Sequence, residues 1–306
     1  MKNVTKYEYN ERWRRRDVAY KSLEEELKER VYPLLRSLAR TCLPENGAGR
    51  PPKVDRAMAA FLAVAKEHGN ENTYRELVAS EWVEFLGIPE IHYTTIHKAV
   101  KRLPPGLLEA AMRLFAERVS SDGMDCVIDA TGLGIRKYEK EEYREEERRK
   151  RQYAKLNSIW DADKKVFHAV DILDGETHEY NGSEEMYERV NTPVDKLFGD
   201  PGYAGRGFVQ TVADSGAEPV VKPQSNATPK TKGSPAWRKL VKEYQDLGYE
   251  DWRDKTGYGK RFPNEGQFGA FNTRYGDEMN ARSVHMAERI GLARAVLHNF
   301  FRYLCN

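Results

Sequence analysis

The sequence predicts an α/β domain with a mixed sheet flanked by helices, preceded by an all-helical region. Up to about residue 120, apolar residues recur at helical spacing, as in VDRAMAAFLAVAKEHG. The later runs DCVIDATGLG, KLNSIWDAD and KVFHAVDILDG are typical of strands, and the last two join at Asp163-Lys164, a good tight-turn site. Helical and strand-like runs then alternate from SEEMYERV to EPVVKP. This order predicts a mixed sheet covered by helices.

The composition favours a soluble protein of the cytoplasm. Charged residues make up 32% of the 306 residues, and no apolar run approaches the roughly 20 residues that span a bilayer. The N-terminus, MKNVTKYEYNERWRRR, has no apolar segment for a secretory signal. The 3 cysteines form no CxxC pair, which argues against a disulfide framework or a thiolate zinc site. We therefore expect no membrane partner.

Residues 1–53 are predicted to form a basic N-terminal arm and linker. The stretch Met1 to Arg56 holds 14 Lys and Arg against 9 Asp and Glu. It contains a charged helical run and ends in the Pro- and Gly-rich break LPENGAGRPPK, whose composition is typical of a linker.

Residues 54–120 are predicted to form a helical DNA-binding region. In HYTTIHKAVKRLP the apolar side chains share one face, and Lys98, Lys101 and Arg102 remain available to solvent. Short helices in series with a basic final member indicate a helix-turn-helix unit. An ordinary helical bundle with a solvated face is the alternative.

Two strand-like runs of the second region end in carboxylates. Asp129 follows CVI in CVIDATG, and Asp200 follows KLFG in KLFGDPGYAG, where Pro201-Gly202 must turn the chain sharply. Because sites in open sheets form where strands end, we expect the two acids to converge. Carboxylate oxygens are the ligands that Mg²⁺ prefers, and two such ions about 4 Å apart support phosphoryl transfer. A third acid, Glu265, lies at the start of a helix predicted near Pro263.

These motifs resemble the DDE-type transposases of bacterial and archaeal insertion sequences, which have a ribonuclease-H-like core. That family carries an Asp on the first strand, an Asp after the fourth and a Glu on a later helix. IDATG and GDPGYAG match the two Asp motifs. One branch marks the Glu helix with Y-x2-R-x3-E-x6-K, and Tyr258, Arg261 and Glu265 stand at those spacings. The resemblance extends from about Arg50 to the C-terminus.

The resemblance implies a ribonuclease-H-like catalytic domain over residues 121–306, with a basic loop and helix inserted at about residues 223–257. Asp129, Asp200 and Glu265 would hold two Mg²⁺ ions, for which Mn²⁺ would substitute. Water would be activated to cut DNA at the terminal repeats of the element, and the freed 3′ hydroxyl would attack target DNA. A protein that acts on two DNA ends is expected to be a homo-oligomer, a dimer on DNA, associated with the nucleoid.

Several basic and aromatic residues are predicted to contact DNA. They are Arg261, Tyr258, Arg274, Lys98, Lys101, Arg102, Arg148 and Arg151. The cluster from Arg148 to Arg151 follows the Asp129 strand and would otherwise be part of a solvated helix or hairpin. Asn272 stands where the pattern has Lys, and Arg274 or Lys260 would have to compensate for the missing cation.

Two other functions remain open at this point. A metal-dependent nuclease without strand transfer would use the same three acids. A non-catalytic or disabled DNA-binding protein derived from a transposase is favoured only by Asn272. Trp160 and Tyr203 are possible stacking platforms for an unpaired base. Core packing is the more ordinary role for both.

Overall fold

The computed structural model describes residues 6–42, 51–69, 73–135 and 153–306, and it leaves the side chains of residues 6–13 and 263–265 undescribed. Contacts divide the chain into two compact units. Unit 1 comprises Met1–Val119 and Glu288–Asn306, and unit 2 comprises Ser120–Ala287.

Unit 1 is built from helices in its described part. These are α1 (Lys6–Glu26), a π-helical turn (Leu27–Val31), α2 (Tyr32–Cys42), α3 (Arg56–His68), α4 (Tyr74–Val78), α5 (Glu81–Phe85), α6 (Tyr93–Arg102) and α7 (Pro105–Glu117). Leu23, Leu27, Val31 and Leu35 are fully buried at four-residue spacing, so they form one apolar stripe. The predicted basic arm is therefore helical over most of its length.

Local capping explains where two of these helices begin. Asp55 accepts the Met58 N–H at 2.8 Å and caps the buried helix α3. Thr73 and Glu76 form a reciprocal capping box at the start of α4, with bonds of 3.3 and 2.8 Å.

Unit 2 is organised around a six-stranded sheet in the order β3-β2-β1-β4-β5, with β6 paired to β1. The strands are β1 (Met124–Ile135), β2 (Tyr153–Asp161), β3 (Phe167–Asp174), β4 (Val194–Gly199), β5 (Glu218–Val221) and β6 (Glu278–Met279). β1, β2 and β3 pair antiparallel, whereas β4 and β6 run parallel to β1 and β5 runs parallel to β4. This arrangement confirms the predicted ribonuclease-H-like mixed sheet.

Helices cover both faces of this sheet. They are α8 (Ser183–Glu188), α9 (Arg206–Asp214), α10 (Pro235–Thr256) and α11 (Glu265–Tyr275), with 3₁₀ segments at Pro201–Tyr203 and Tyr258–Asn264. The last helix of the chain, α12 (Val284–Cys305), belongs mostly to unit 1. Ile128 and Ile159 pack with Phe208 of α9 in one apolar cluster. Trp160, the neighbour of Ile159, points to the other face and meets Phe268 of α11 at 4.5 Å between ring centroids.

The inserted segment between β5 and α11 consists of a loop and the long helix α10. Ser234 caps α10 by accepting the Trp237 N–H at 3.1 Å. The helix is kinked at Gly248, whose φ of 76° and ψ of 172° are not helical. Only glycine adopts this φ without strain, so this residue allows the kink.

The C-terminal helix α12 crosses the boundary between the units. The sequence placed the whole of residues 121–306 in one domain, whereas the contacts group Glu288–Asn306 with unit 1. Within unit 1, Asn299 donates to the Met112 carbonyl at 2.9 Å, and Arg294 pairs with Glu67 at 2.7 Å.

Among the described residues, no helix is long and apolar enough to cross a membrane.

Candidate active site

The register of two neighbouring strands brings the predicted acids together. β1 and β4 pair in parallel, and their last paired residues are Ile128 and Gly199. Asp129 and Asp200 each follow one residue later, so they come side by side. β4 ends at Gly199, but β1 continues to Ile135 because its pairing with β2 continues. The expectation that both acids end their strands is therefore wrong for Asp129, whose side chain projects from within β1.

Each carboxylate has one oxygen bonded to backbone and one that faces Arg261. Asp129 Oδ1 accepts the Ala130 N–H at 3.0 Å, and Asp200 Oδ1 accepts the Gly202 N–H at 2.8 Å. The two Oδ2 atoms lie 3.6 and 3.8 Å from Nη2 of Arg261. Both distances are longer than an ordinary hydrogen bond, so the guanidinium acts as a shared positive charge between the two acids.

Glycine at position 202 leaves room for the Asp200 carboxylate in the turn after β4. A Cβ atom there would lie 2.9 Å from Oδ1 of Asp200, closer than real Cβ contacts allow. The carboxylate folds back over this residue and caps the 3₁₀ turn Pro201–Tyr203. The short sequence DPG thus fixes the direction of the Asp200 side chain.

Burial and charge act in opposite directions on Asp129. Burial raises the pKa of the Asp129 carboxyl to about 6, and the Arg261 guanidinium opposes this increase. Arg261 is itself only 14% exposed in its side chain, and its Nε is buried with no hydrogen-bond partner in the described part of the chain. A buried charged group with an unsatisfied donor is costly, which is typical of a site that awaits a ligand.

The donor set fits a hard divalent cation. Two carboxylate oxygens face one cationic group, and Mg²⁺ binds through one or two carboxylates together with waters and phosphate oxygens. Among the described residues no group of three His, Cys, Asp or Glu side chains is placed to hold a metal ion. A third carboxylate would have to come from Glu265, whose side chain is not described.

Comparison with protein families identifies the domain that carries this site. A family model described as "Transposase DDE domain" matches residues 121–300, more than half of the chain. The chain belongs to the DDE transposase family. Comparison with curated protein sequences gives no match.

Structural comparison matches this transposase to several Mos1 complexes. The Mos1 strand transfer complex is 13% identical, with coverage of 76% of this chain and 82% of that chain and a TM-score of 0.26. The Mos1 mariner paired end complex with Mn is 12% identical, with coverage of 93% and 96% and a TM-score of 0.25. The corresponding complex with Mg is 13% identical, with coverage of 94% and 97% and a TM-score of 0.24.

The remaining residues of the transposase signature are placed as follows. Glu265 is the first residue of α11, so the predicted helix begins close to the expected position. Arg148 and Arg151 lie outside the described residues. Tyr258 is 2% exposed and packs on Trp252 at 5.0 Å between ring centroids, which gives its ring a packing role. The Tyr203 and Trp160 rings, both fully buried, are likewise part of the core.

The cations near the Lys position of the signature are engaged within the protein. Lys260 pairs with Asp125 of β1 at 2.5 Å and so ties the 3₁₀ segment that carries Arg261 to β1. The Arg274 guanidinium lies 5.5 Å from the Tyr275 ring centroid. Asn272 has a buried Oδ1 without a hydrogen-bond partner in the described part of unit 2.

The basic helix of unit 1 has the amphipathic form that the sequence predicts. Ile96 and Val100 of α6 are buried, whereas Lys98, Lys101 and Arg102 are exposed. A line of exposed cations on a short helix is suited to phosphate contacts.

One acid near the site was missed by the sequence. Glu179 lies between β3 and α8, and its charge contributes to the raised pKa of Asp129. Its Oε2 would be 3.7 Å from a Cβ atom at Gly202, so the carboxylate borders the turn after Asp200. The surrounding sequence, THEYNG, matches no motif, and only the fold brings this residue to the acids.

Proposed function

We propose that this DDE transposase cuts DNA at the ends of its mobile element and joins the freed 3′ hydroxyl to target DNA. The observation that carries the proposal is the convergence of Asp129 and Asp200 around Arg261, with Oδ2 atoms 3.6 and 3.8 Å from Nη2. A partly buried cluster of two acids and one arginine, located where β4 ends beside β1, suits a phosphate group and its counter-cations.

The metal ions of this proposal are two Mg²⁺, with Mn²⁺ able to replace them. Asp129, Asp200 and Glu265 would hold them. When bound, such ions lower the pKa of the attacking water or hydroxyl and stabilise the leaving oxygen. The protein's own part is to hold the carboxylates in fixed directions, through the Ala130 and Gly202 N–H groups.

Arg261 has two tasks in this scheme. Without DNA its guanidinium offsets the repulsion between the two carboxylates. With DNA present, the same guanidinium can donate to the oxygens of the phosphate being cut, since Arg donors match phosphate geometry in pairs. Lys260, held by Asp125, keeps the backbone beside Arg261 in place.

DNA is the proposed partner of both units. Exposed Lys98, Lys101 and Arg102 on α6 would contact the terminal repeats through a helix-turn-helix unit. Arg274, Arg148 and Arg151 remain proposed DNA contacts of the catalytic domain, whereas the buried Tyr258 ring keeps its packing role. Because two element ends must be cut and joined together, the active form is proposed to be a dimer on DNA.

The experiment that tests this function is cleavage of labelled DNA carrying the element's own ends, with Mg²⁺ or Mn²⁺. Asp200→Asn keeps the size of the side chain and removes its charge, so metal-dependent nicking should fall by about a thousandfold or more. Asp214→Asn, an exposed position at the end of α9, is the matched control and should cut like the original protein. Nicking that is unchanged by Asp200→Asn would contradict the proposal, and nicking without joining would restrict it to a nuclease.

A second candidate function is favoured by Asn272. This residue stands at the Lys position of the signature, and its buried Oδ1 lacks a hydrogen-bond partner in the described residues. The protein would then be a disabled transposase that binds DNA without cutting it. Tight binding without cleavage, together with cleavage restored by Asn272→Lys, would establish this alternative.

A further inference from the structure

We propose that Tyr203 and Asn157 are positioning residues that fix the separation of Asp129 and Asp200, and thereby set the affinity of the site for divalent metal. This inference rests on the proposed function, because it concerns the same two acids. Neither residue belongs to the predicted catalytic set.

The two side chains form a buried hydrogen-bonded link. The Tyr203 hydroxyl donates to Asn157 Oδ1 at 2.7 Å, and Asn157 Nδ2 donates to the Glu179 carbonyl at 2.9 Å. Tyr203 is 0% exposed and Asn157 is 1% exposed. Burial raises the pKa of Tyr203, so the hydroxyl keeps its proton and remains a donor. Hydrogen bonds shielded from water in this way hold their partners firmly.

One end of the link is rigidly joined to Asp200. The Tyr203 N–H donates to the Asp200 carbonyl at 3.1 Å, and the Gly202 N–H donates to the Asp200 carboxylate at 2.8 Å. Pro201, between them, has a fixed φ. Any movement of the Tyr203 ring is therefore transmitted to Asp200.

The other end of the link is joined to Asp129. Asn157 on β2 is the direct antiparallel partner of Ala130, the residue after Asp129. The next residue, Ser158, pairs with Asp129 itself, and its hydroxyl lies 3.4 Å from the Asp129 carbonyl. The backbone of Asn157 therefore moves with the strand that carries Asp129.

A side-chain link is needed here because the backbone ladder stops. β1 and β4 are paired only as far as Ile128 and Gly199, directly before the two acids. Beyond that point β4 has ended, and Asp200 is no longer held to β1 by main-chain bonds. The Tyr203–Asn157 bond bridges the gap from the turn after β4 to β2, the strand on the far side of β1.

The same asparagine also fixes the loop that brings Glu179 to the site. Lys155, two residues earlier on β2, donates to the Thr177 carbonyl at 2.9 Å and lies 3.6 Å from Glu179 Oε1. β2 thus holds both the turn of Asp200 and the loop of Glu179 in place around Asp129. The distances between these carboxylates are therefore fixed before metal binds, and such preorganised ligands give a metal site high affinity.

A matched control exists in the same core. Tyr187 is 5% exposed, belongs to the same apolar cluster as Tyr203, and its hydroxyl is 2.7 Å from the Ser215 hydroxyl. Tyr187→Phe and Tyr203→Phe each remove one tyrosine hydroxyl with a hydrogen bond of the same length, buried for Tyr203 and partly buried for Tyr187. A purely structural role for Tyr203 predicts equal effects of the two substitutions.

The test is Mn²⁺ binding to the DNA-free full-length protein, measured by calorimetry alongside thermal unfolding. Tyr203→Phe should weaken Mn²⁺ binding by about tenfold or more, as loss of residues that orient metal ligands typically does. Tyr187→Phe should leave the Mn²⁺ affinity within about twofold of the original. It should lower the melting temperature about as much as Tyr203→Phe does. Equal Mn²⁺ affinities for Tyr203→Phe and Tyr187→Phe would overturn the inference.

Two further measurements separate possible failures. If Tyr203→Phe does not fold, Asn157→Ser removes the acceptor but keeps the Tyr203 ring, and it should weaken Mn²⁺ binding in the same way. Asp200→Asn shows whether the acids bind metal at all. If the original protein and Asp200→Asn bind Mn²⁺ equally, the proposed function fails and this inference with it. If Asp200→Asn loses Mn²⁺ binding but Tyr203→Phe and Asn157→Ser keep it, the two acids still bind metal and only the positioning role fails.

Discussion

Two polar clusters in unit 2 differ in how many of their carboxylate oxygens accept hydrogen bonds. In the first, Asp161 ends β2 and is 2% exposed. Its Oδ1 accepts the N–H groups of Asp163 and Lys164, both at 2.8 Å, and its Oδ2 accepts the Ser120 hydroxyl at 2.7 Å. Ser120 also lies 3.0 Å from the buried His168 Nε2. Every oxygen of this carboxylate is therefore satisfied within the protein.

In the second cluster, Asp129 and Asp200 each use one oxygen for a backbone bond. In the described part of the chain, their other oxygens meet a shared Arg261 at distances beyond a hydrogen bond. The first cluster closes a hairpin, and the second keeps binding capacity for a ligand. Whether an acid at or near a strand end belongs to a binding site therefore depends on whether all of its oxygens already accept hydrogen bonds within the protein.

The largest expected contrast is in stability. Asp161→Asn replaces an acceptor of three hydrogen bonds and should lower the free energy of unfolding by about 2 kcal/mol. Asp129→Asn removes a buried charge and should leave the free energy of unfolding unchanged or raise it at neutral pH, as happens when function has been favoured over stability. Urea unfolding of both variants at pH 7 measures this. Equal losses in the two variants would erase the distinction between the clusters.

The pH dependence should separate the clusters next. The pKa of Asp129 is raised to about 6, so between about pH 4 and 6 the folded state binds more protons than the unfolded state. The stability that this proton contributes is present below about pH 4 and is lost as the pH rises through 6. Asp129→Asn should abolish that decline in urea unfolding without metal.

Arg261→Gln tests whether the Arg261 charge acts on the pKa of Asp129. Arg261 lowers the pKa of Asp129, so its removal should raise that pKa further above its ordinary value. NMR titration of the carboxyl carbon, with Asp129→Asn for assignment, would detect the change. An unchanged pKa would mean that the guanidinium does not act on Asp129 in solution.

The smallest effect is expected at the rim of the structural cluster. Ser120→Ala removes one of the three donors to Asp161 and should lower the free energy of unfolding by about 1 kcal/mol. Mn²⁺ affinity should not change, because Ser120 contacts neither Asp129 nor Asp200. A loss of Mn²⁺ affinity in this variant would link the two clusters.

The sequence predicted the elements that depend on local pattern. The runs VDKLFGD, GRGFVQTVADSG and EPVVKP became β4, α9 and β5, and the Asp163-Lys164 turn joins β2 to β3. These elements depend on periodicity and turn chemistry, which are written in neighbouring residues. The convergence of Asp129 and Asp200 was also predicted, from the expectation that both acids end their strands, but only Asp200 does so.

Features that depend on strand register could not be predicted. The position of Asp129 inside β1 depends on how far β2 pairs with that strand. The contact between Tyr203 and Asn157 depends on the pairing of Asn157 with Ala130 across 27 residues of sequence. Glu179 reaches the site on a loop that is held by Asn157 and Lys155 of β2. No local pattern carries this information, since a shift of one residue moves every side chain to the other face.

The most direct test of the central claim, that Asp129 and Asp200 share a divalent metal site, is iron-mediated cleavage of the protein's own backbone. Fe²⁺ binds oxygen ligands like those of Mg²⁺ and Mn²⁺, and with peroxide and ascorbate it produces radicals that cut the nearest peptide bonds. We expect cuts near both residue 129 and residue 200, suppressed by excess Mg²⁺ and absent in Asp200→Asn. Cuts confined to other parts of the chain, or cuts that persist in Asp200→Asn, would contradict the shared site.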